Sequence, residues 1–248
     1  MEKFFQSCSQ FFQDWGQQLY DTFIEDDRYM WLVDGLCNTL IITFGALLIG
    51  VVLGTIIAVI KYFSDECVPL RFLGKLCDIY VTTIRGIPVV VLLSFFYFFV
   101  FASYDNGVVV GMITFGINSA AYMAELIRSG INAVDPGQME AGRSLGMSKL
   151  QATRKVVFPQ AIKNILPAIG NEMIALLKET AVAGYVAVED LTRAGNLIRN
   201  NTYDAFNPLI AVALVYLLLV IGLTKLLGKL ERRLGKHDRG KKSSQELR

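Results

Sequence analysis

The sequence predicts an all-α polytopic membrane protein with five transmembrane helices. Three observations carry that prediction. The chain of 248 residues is 53% apolar, above the roughly 45–50% of soluble domains, and its mean hydropathy is +0.44. The apolar residues are gathered into long runs, and most of the lysines and arginines beside those runs fall on alternate sides.

In residues 4–24, Phe4, Phe5, Phe11, Phe12, Trp15, Leu19 and Phe23 recur at roughly helical spacing among glutamines and acids. That pattern predicts an interfacial helix on the outer leaflet, too polar to span. No basic leader followed by an apolar stretch precedes it, so no cleavable signal is expected.

The first span is residues 36–60, a run of 25 without a charge. At about 1.5 Å per residue such a helix exceeds the ~30 Å hydrocarbon core. The second is expected over 79–102, with Arg85 and Pro88 near its start and the aromatic run SFFYFFVF at its end. A third, 108–131, carries Glu125 and Arg128 in its last turns. The fourth, 165–188, contains Glu172, Lys178 and Glu179, and the fifth, 208–227, is uncharged until Lys225.

Basic residues orient the bundle. Lys61, Arg71 and Lys75 lie between the first two spans; Arg143, Lys149, Arg154, Lys155 and Lys163 lie in the loop at about 134–164; the tail is basic. By contrast, residues 1–30 hold six acids against Lys3 and Arg28, and residues 103–107 hold no base. The N-terminus is therefore expected outside and the C-terminus in the cytoplasm. Only segment 189–206, with Arg193 and Arg199, departs from the rule. Three regions follow: an extracellular or interfacial segment 1–30, a transmembrane domain 31–234 containing the cytoplasmic loop, and a charged cytoplasmic tail 235–248.

Several chemistries lack their raw material. A net charge of +2 gives no reason to expect a nucleic-acid partner. The cysteines Cys8, Cys37, Cys67 and Cys77 and the lone His237 show no zinc-ligand spacing, and Cys37 has no histidine to activate it, which argues against a metal site or an intramembrane enzyme. There is no G-x-x-x-x-G-K-[ST] phosphate loop, so this chain is not expected to cradle ATP.

The loop is more informative. Residues 139–170 read MEAGRSLGMSKLQATRKVVFPQAIKNILPAIG. Asp135 and Pro136 can start a helix, Gly146 permits a left-handed exit, and Ser148 can cap a second helix over 149–158 before Pro159. A plain solvated turn would share that pattern. However, Glu140-Ala141-Gly142, three residues, Gly146, nine residues, then Val156-Val157-Phe158-Pro159 resembles the EAA motif, E-A-A-x3-G-x9-I-x-L-P, of ATP-binding-cassette (ABC) importer permeases. Gly142, Val156 and Phe158 depart from its letters but keep small or apolar character. Arg85-Gly86-Ile87-Pro88, Ala121-Tyr122-Met123-Ala124-Glu125 with Arg128, Gly137-Gln138 and Leu177-Lys178 extend the likeness over about 34–234 to permeases of the polar-amino-acid, histidine/glutamine type.

The resemblance implies a type I ABC importer permease fold with five spans and an external N-terminus. It implies that Glu140, Ala141, Gly142, Arg143 and Gly146 belong to a coupling helix seated on a cytoplasmic ABC ATPase dimer, which would hold the ATP and Mg while this chain binds no cofactor. Its further partners would be a second permease, identical or homologous, an extracellular solute-binding protein and a polar amino acid.

Charges inside spans normally face protein or water. The candidate substrate pathway is Arg85 and Gly86 for a carboxylate, and Asn118, Tyr122 and Glu125, at i, i+4 and i+7 on one helix face, for an ammonium. Lys178 joins them as the cation deepest in its span. Two alternatives stay open: Arg85 can snorkel to headgroups, and Glu125 can form an ion pair with Arg128. A channel or secondary carrier would need no ATPase; the EAA-like loop argues against it.

Overall fold

The computed structural model describes residues 1–64 and 68–245, without the side chains of 2–5, 7–9, 68 and 234–245. Cys8, Cys67 and His237 lie outside the described side chains. Ten α-helices follow one another: α1 (Glu2–Phe23), α2 (Tyr29–Ser64), α3 (Val68–Gly86), α4 (Val89–Phe95), α5 (Gly107–Asn132), α6 (Pro136–Ser144), α7 (Lys149–Ala152), α8 (Phe158–Glu179), α9 (Leu191–Thr202) and α10 (Asn207–Gln245).

Among the described residues three stretches are long and apolar enough to cross a membrane: Glu25–Ser64, Gly107–Asn132 and Asn207–Arg233. They contain the first, third and fifth expected spans. The second differs from expectation. Instead of one helix over 79–102, Pro69–Gly86 and Val89–Val100 meet at an angle of 105°. Pro88 sits at the break in an extended conformation, φ −56 and ψ 135, because a proline has no N–H to continue the ladder and pushes the residue before it out of the helical region. Its carbonyl then accepts from Val91 and Leu92 N–H and starts α4.

The fourth expected span is also shifted. Its helix α8 begins at Phe158, ends at Glu179, and passes into a 3₁₀ turn over Thr180–Val186 that closes on Ala187 with φ 61. The 22 residues of α8 would reach about 33 Å, but its charges keep it outside the set of plainly apolar helices.

The axis of the bundle is the α2–α5 pair. On α2, Ala46, Gly50, Gly54 and Ala58 form a buried stripe at four-residue spacing; on α5, Gly116, Ala120 and Ala124 do the same. A Cβ on Gly54 would stand 2.5 Å from Met123 Cβ and 2.9 Å from the Ala120 carbonyl oxygen. Small residues thus bring two backbones into van der Waals contact where lipid offers little hydrophobic drive for helix pairing. Ile42, Leu93, Phe115, Leu176 and Val186 fill the core at one end. Ala58, Ile127, Val157, Ala161 and Ile165 join α2, α5 and α8 near the α6–α7 end.

At the opposite end, α1 is pinned to the α9–α10 corner. Trp15 Nε1 donates to Asn207 Oδ1 at 3.0 Å, and Thr22 Oγ1 donates to Asp204 Oδ2 at 2.9 Å. Phe11 and Phe12 remain exposed on this amphipathic helix. The Asp204 carboxylate also accepts from Asn207 Nδ2 and from the N–H groups of Phe206 and Asn207. Burial works against its charge, but these four donors outweigh it and hold the carboxyl below its ordinary value.

Candidate functional site

The loop of 134–164 folds into a hairpin whose joints are all satisfied. Asp135 Oδ1 accepts from Gly137 N–H at 2.9 Å, with Pro136 opening α6. At the far end of α6, Met147 N–H donates to the Gly142 carbonyl at 3.2 Å and Gly146 N–H to that of Arg143 at 3.0 Å. That pair of bonds is a Schellman turn, and Gly146 supplies its left-handed residue at φ +81. Arg143 Nη1 donates to the Met147 carbonyl at 3.0 Å and braces the turn. Ser148 and Gln151 then cap α7 reciprocally.

Two details differ from the sequence reading. Gly142 faces inward: a Cβ there would lie 3.0 Å from Ala152 Cβ, so its small size serves the packing of α6 on α7. Glu140, Ala141, Arg143 and Gly146 are exposed, joined at the tip by Leu145 and Leu150, 79% and 62% exposed. Nor does α7 stop before Pro159. A π-helical turn over Thr153–Val157 carries the chain directly into α8. The wider turn relieves the clash that Pro159 would make with the carbonyl four residues back, so residues 149–179 form one continuous helical run, with Pro167 inside α8.

The second cluster lies at the break between α3 and α4. Arg85, in the last turn of α3, places its guanidinium carbon 5.2 Å from the Tyr122 ring centre. Glu172 of α8 lies within electrostatic reach of Arg85 and Glu179. Ser119 Oγ is buried and, among the described residues, makes no hydrogen bond. A Cβ on Gly86 would meet nothing within 4 Å. Arg85 and Gly86 are exposed at the break, with the Tyr122 ring beside the cation, while Glu172 and Glu179 are half-buried on one face of α8 and Ser119 is buried against Gly50 of α2. That donor set suits a molecule carrying both an anionic and a cationic group.

The remaining pathway candidates are placed elsewhere. Glu125 is committed to ions: Oε1 lies 3.0 Å from Lys61 Nζ, and Oε2 lies 2.7 Å from Arg128 Nη2. Lys61 also meets Asp78 at 2.8 Å. Of the two readings left open for Glu125, the geometry takes the ion pair. Asn118 is 3% exposed inside α5, and Lys178 is exposed on α8, away from the buried face that carries Leu176 and Leu177. Of the other charges inside spans, Glu172 and Glu179 are half-buried on α8. Glu172 and Glu179 are seven residues apart, hence on one helix face, the signal that could have paired them.

Between the hairpin and the bundle lies a cleft of about 540 Å³ lined by Tyr62, Ile131, Asp135, Met139, Arg143 and Lys149. Among the described residues no group of three or more metal-ligating side chains is gathered.

Comparison with known proteins agrees with this architecture. The chain is 37% identical, over 85% of its length and 96% of the other's, to the probable glutamine ABC transporter permease protein GlnM of Bacillus subtilis. It is 34% identical to the arginine transport system permease protein ArtQ of the same organism, over 84% of this chain and 94% of that one. Its fold is similar to a crystal structure of an amino acid ABC transporter with histidines, with a TM-score of 0.77 and 42% identity over 85% of this chain and 98% of that chain. Residues 50–236, which include the hairpin, the Lys61 network and the Glu172 face, match one family along their whole length. This multi-pass membrane chain belongs to the binding-protein-dependent transport system inner membrane components, the permease subunits of ABC importers.

Proposed function

We propose that this permease carries a polar amino acid inward, driven by ATP hydrolysis on a separate cytoplasmic ATPase dimer that holds ATP and Mg, after delivery by an extracellular binding protein. The observation that carries the reading is the hairpin, with every joint capped and Leu145 and Leu150 bare at its tip. A rigid projection ending in apolar side chains beside Glu140 and Arg143 is what a protein groove can grip.

The membrane domain, residues 31–234, makes five crossings: the three apolar helices, the bent α3–α4 pair and the amphipathic α8, whose Glu172 and Glu179 are half-buried on one face. Segment 1–30 lies outside, the hairpin and the tail 235–248 inside, in line with the basic-residue bias. A second permease, identical or homologous, completes the pathway. The amino acid's carboxylate meets Arg85, and its ammonium meets Glu172.

The test is purification from membranes with reconstitution into vesicles. The permease should co-elute with an ATPase and, with binding protein outside, accumulate radiolabelled glutamine or arginine only when ATP is present inside. ATP-independent uptake by the permease alone would establish a carrier instead. A membrane-impermeant thiol reagent applied to cells should reach Cys8 and spare Cys67 and Cys77; the reverse would invert the topology.

A further inference from the structure

Glu172 is joined to the hairpin by the continuous helical run of α7, the π-helical turn and α8. Arg85 has no such continuity, since α3 is separated from the hairpin in sequence by all of α4 and α5. We infer that Lys61 is the positioning residue that ties α3 to the hairpin, so that a movement of the hairpin reaches both sides of the substrate position. This inference rests on the coupling role of the hairpin proposed above.

The geometry is local to the inner turn of α2. Lys61 is 15% exposed, and its ammonium bridges Asp78 of α3 at 2.8 Å and Glu125 of α5 at 3.0 Å. Its neighbour Tyr62 faces the hairpin instead. Lys149 Nζ stands 5.0 Å above the Tyr62 ring, and the Tyr62 hydroxyl is 3.5 Å from Thr153 Oγ1 in the π-helical turn. The 540 Å³ cleft opens beside these contacts, so Tyr62 bridges hairpin and bundle at its wall. From Asp78 to Arg85 is seven residues along one rigid helix, about two turns, so Arg85 moves with Asp78. Glu125 is held in turn by Arg128, so a shift of Lys61 is resisted by α5 and transmitted to α3. The two charges facing Lys61 come from different helices, which is why a neutral side chain of equal length would fill the space without carrying the link.

The experiment uses the full permease–ATPase complex, with native cysteines replaced and Gly86→Cys introduced, since that position has room for a side chain. The rate of labelling by a small thiol reagent is measured with and without a non-hydrolysable ATP analogue. With Lys61 intact the analogue should change the rate by about fivefold or more. With Lys61→Met the complex should still co-elute but the change should collapse; Lys61→Arg should restore it, and Asp78→Asn should reproduce the loss. An undiminished change in Lys61→Met would overturn the inference, as would loss of co-elution, which would make Lys61 a docking residue. No nucleotide effect with Lys61 intact would overturn it as well, and would point instead to failure of the coupling reading, which Gly146→Val tests separately.

Discussion

Arg85 stands over Tyr122 with 5.2 Å between guanidinium carbon and ring centre, next to the last residue of α3 before its 105° bend into α4. The ring supports the cation from one side and leaves its N–H fork open for a carboxylate. Arg85→Ala should abolish uptake while leaving co-elution with the ATPase intact. Tyr122→Phe should keep near-normal uptake, because the π face remains, and Tyr122→Ala should weaken apparent affinity by about 3- to 30-fold, the equivalent of ~0.5–2 kcal/mol. Normal vesicle uptake by Arg85→Ala would leave the arginine only a headgroup role.

Gly146 adopts φ +81 with nothing within 4 Å of a built Cβ, so the cost of a side chain there is conformational rather than steric. Gly146→Val should cost roughly 1–2 kcal/mol locally and re-aim α6 against α7. The variant should insert normally and lose co-elution with the ATPase. Glu140→Lys should weaken the same contact by charge reversal. Full binding by both variants in size-exclusion runs would return residues 139–170 to the role of a solvated turn.

Gly54 marks a close approach of α2 to the α5 backbone. Gly54→Leu would drive four carbons into Met123 and the Ala120 carbonyl, and should destabilise the bundle by at least about 1–3 kcal/mol. A lowered midpoint in detergent thermal unfolding checks this; Gly222→Leu on α10, where a Cβ meets nothing, should leave the midpoint unchanged.

The α1 clasp gives a pH prediction. The folded carboxyl of Asp204 lies below its ordinary 3.8, with Asn207 and Phe206 donating from the corner itself and Thr22 the donor from α1, so a state in which the corner and its α1 contact are both lost favours the protonated form more than the folded one does. The clasp is therefore fully present above about pH 4 and is lost as pH falls through the depressed value. Hydrogen exchange of α1 should be unchanged, after intrinsic-rate correction, from about pH 8 to 5. Asp204→Asn should raise it at all these values, since an amide cannot accept from all four donors; a loss of about 1–2 kcal/mol is expected. Exchange rising smoothly between about pH 7 and 5 would place the control elsewhere.

The parts legible in the sequence were those fixed by near neighbours. Asp135, Gly146 and Ser148 announce their caps within three or four residues, and a 25-residue uncharged run can only be buried in lipid or protein. Pro88 announced a disturbance, but its angle of 105° depends on what α3 and α4 pack against. Pro159 suggested a stop, and one extra residue in the preceding turn removed the need for it. Lys61 and Glu125 are 64 residues apart, with no local pattern linking them. Arg128 sat in plain view three residues from Glu125, so the pairing was visible while the choice between pairing and substrate contact was not. Glu172 and Glu179 stand out in the sequence as charges inside a span, but nothing local ranks them above Glu125 or Lys178.

The uninterrupted run from Lys149 to Glu179 has a mechanical consequence. At about 1.5 Å per residue, the 24 residues from the hairpin tip at Ser148 to Glu172 make an arm of ~36 Å. Pivoted at its cytoplasmic end, such an arm converts a tilt of about 5° into a displacement of roughly 3 Å at the carboxylate, enough to make or break a hydrogen bond. The gain is set by arm length and by how stiffly the π-helical turn and Pro167 inside α8 hold the run straight, so shortening the arm would blunt the response without touching any group that meets the substrate.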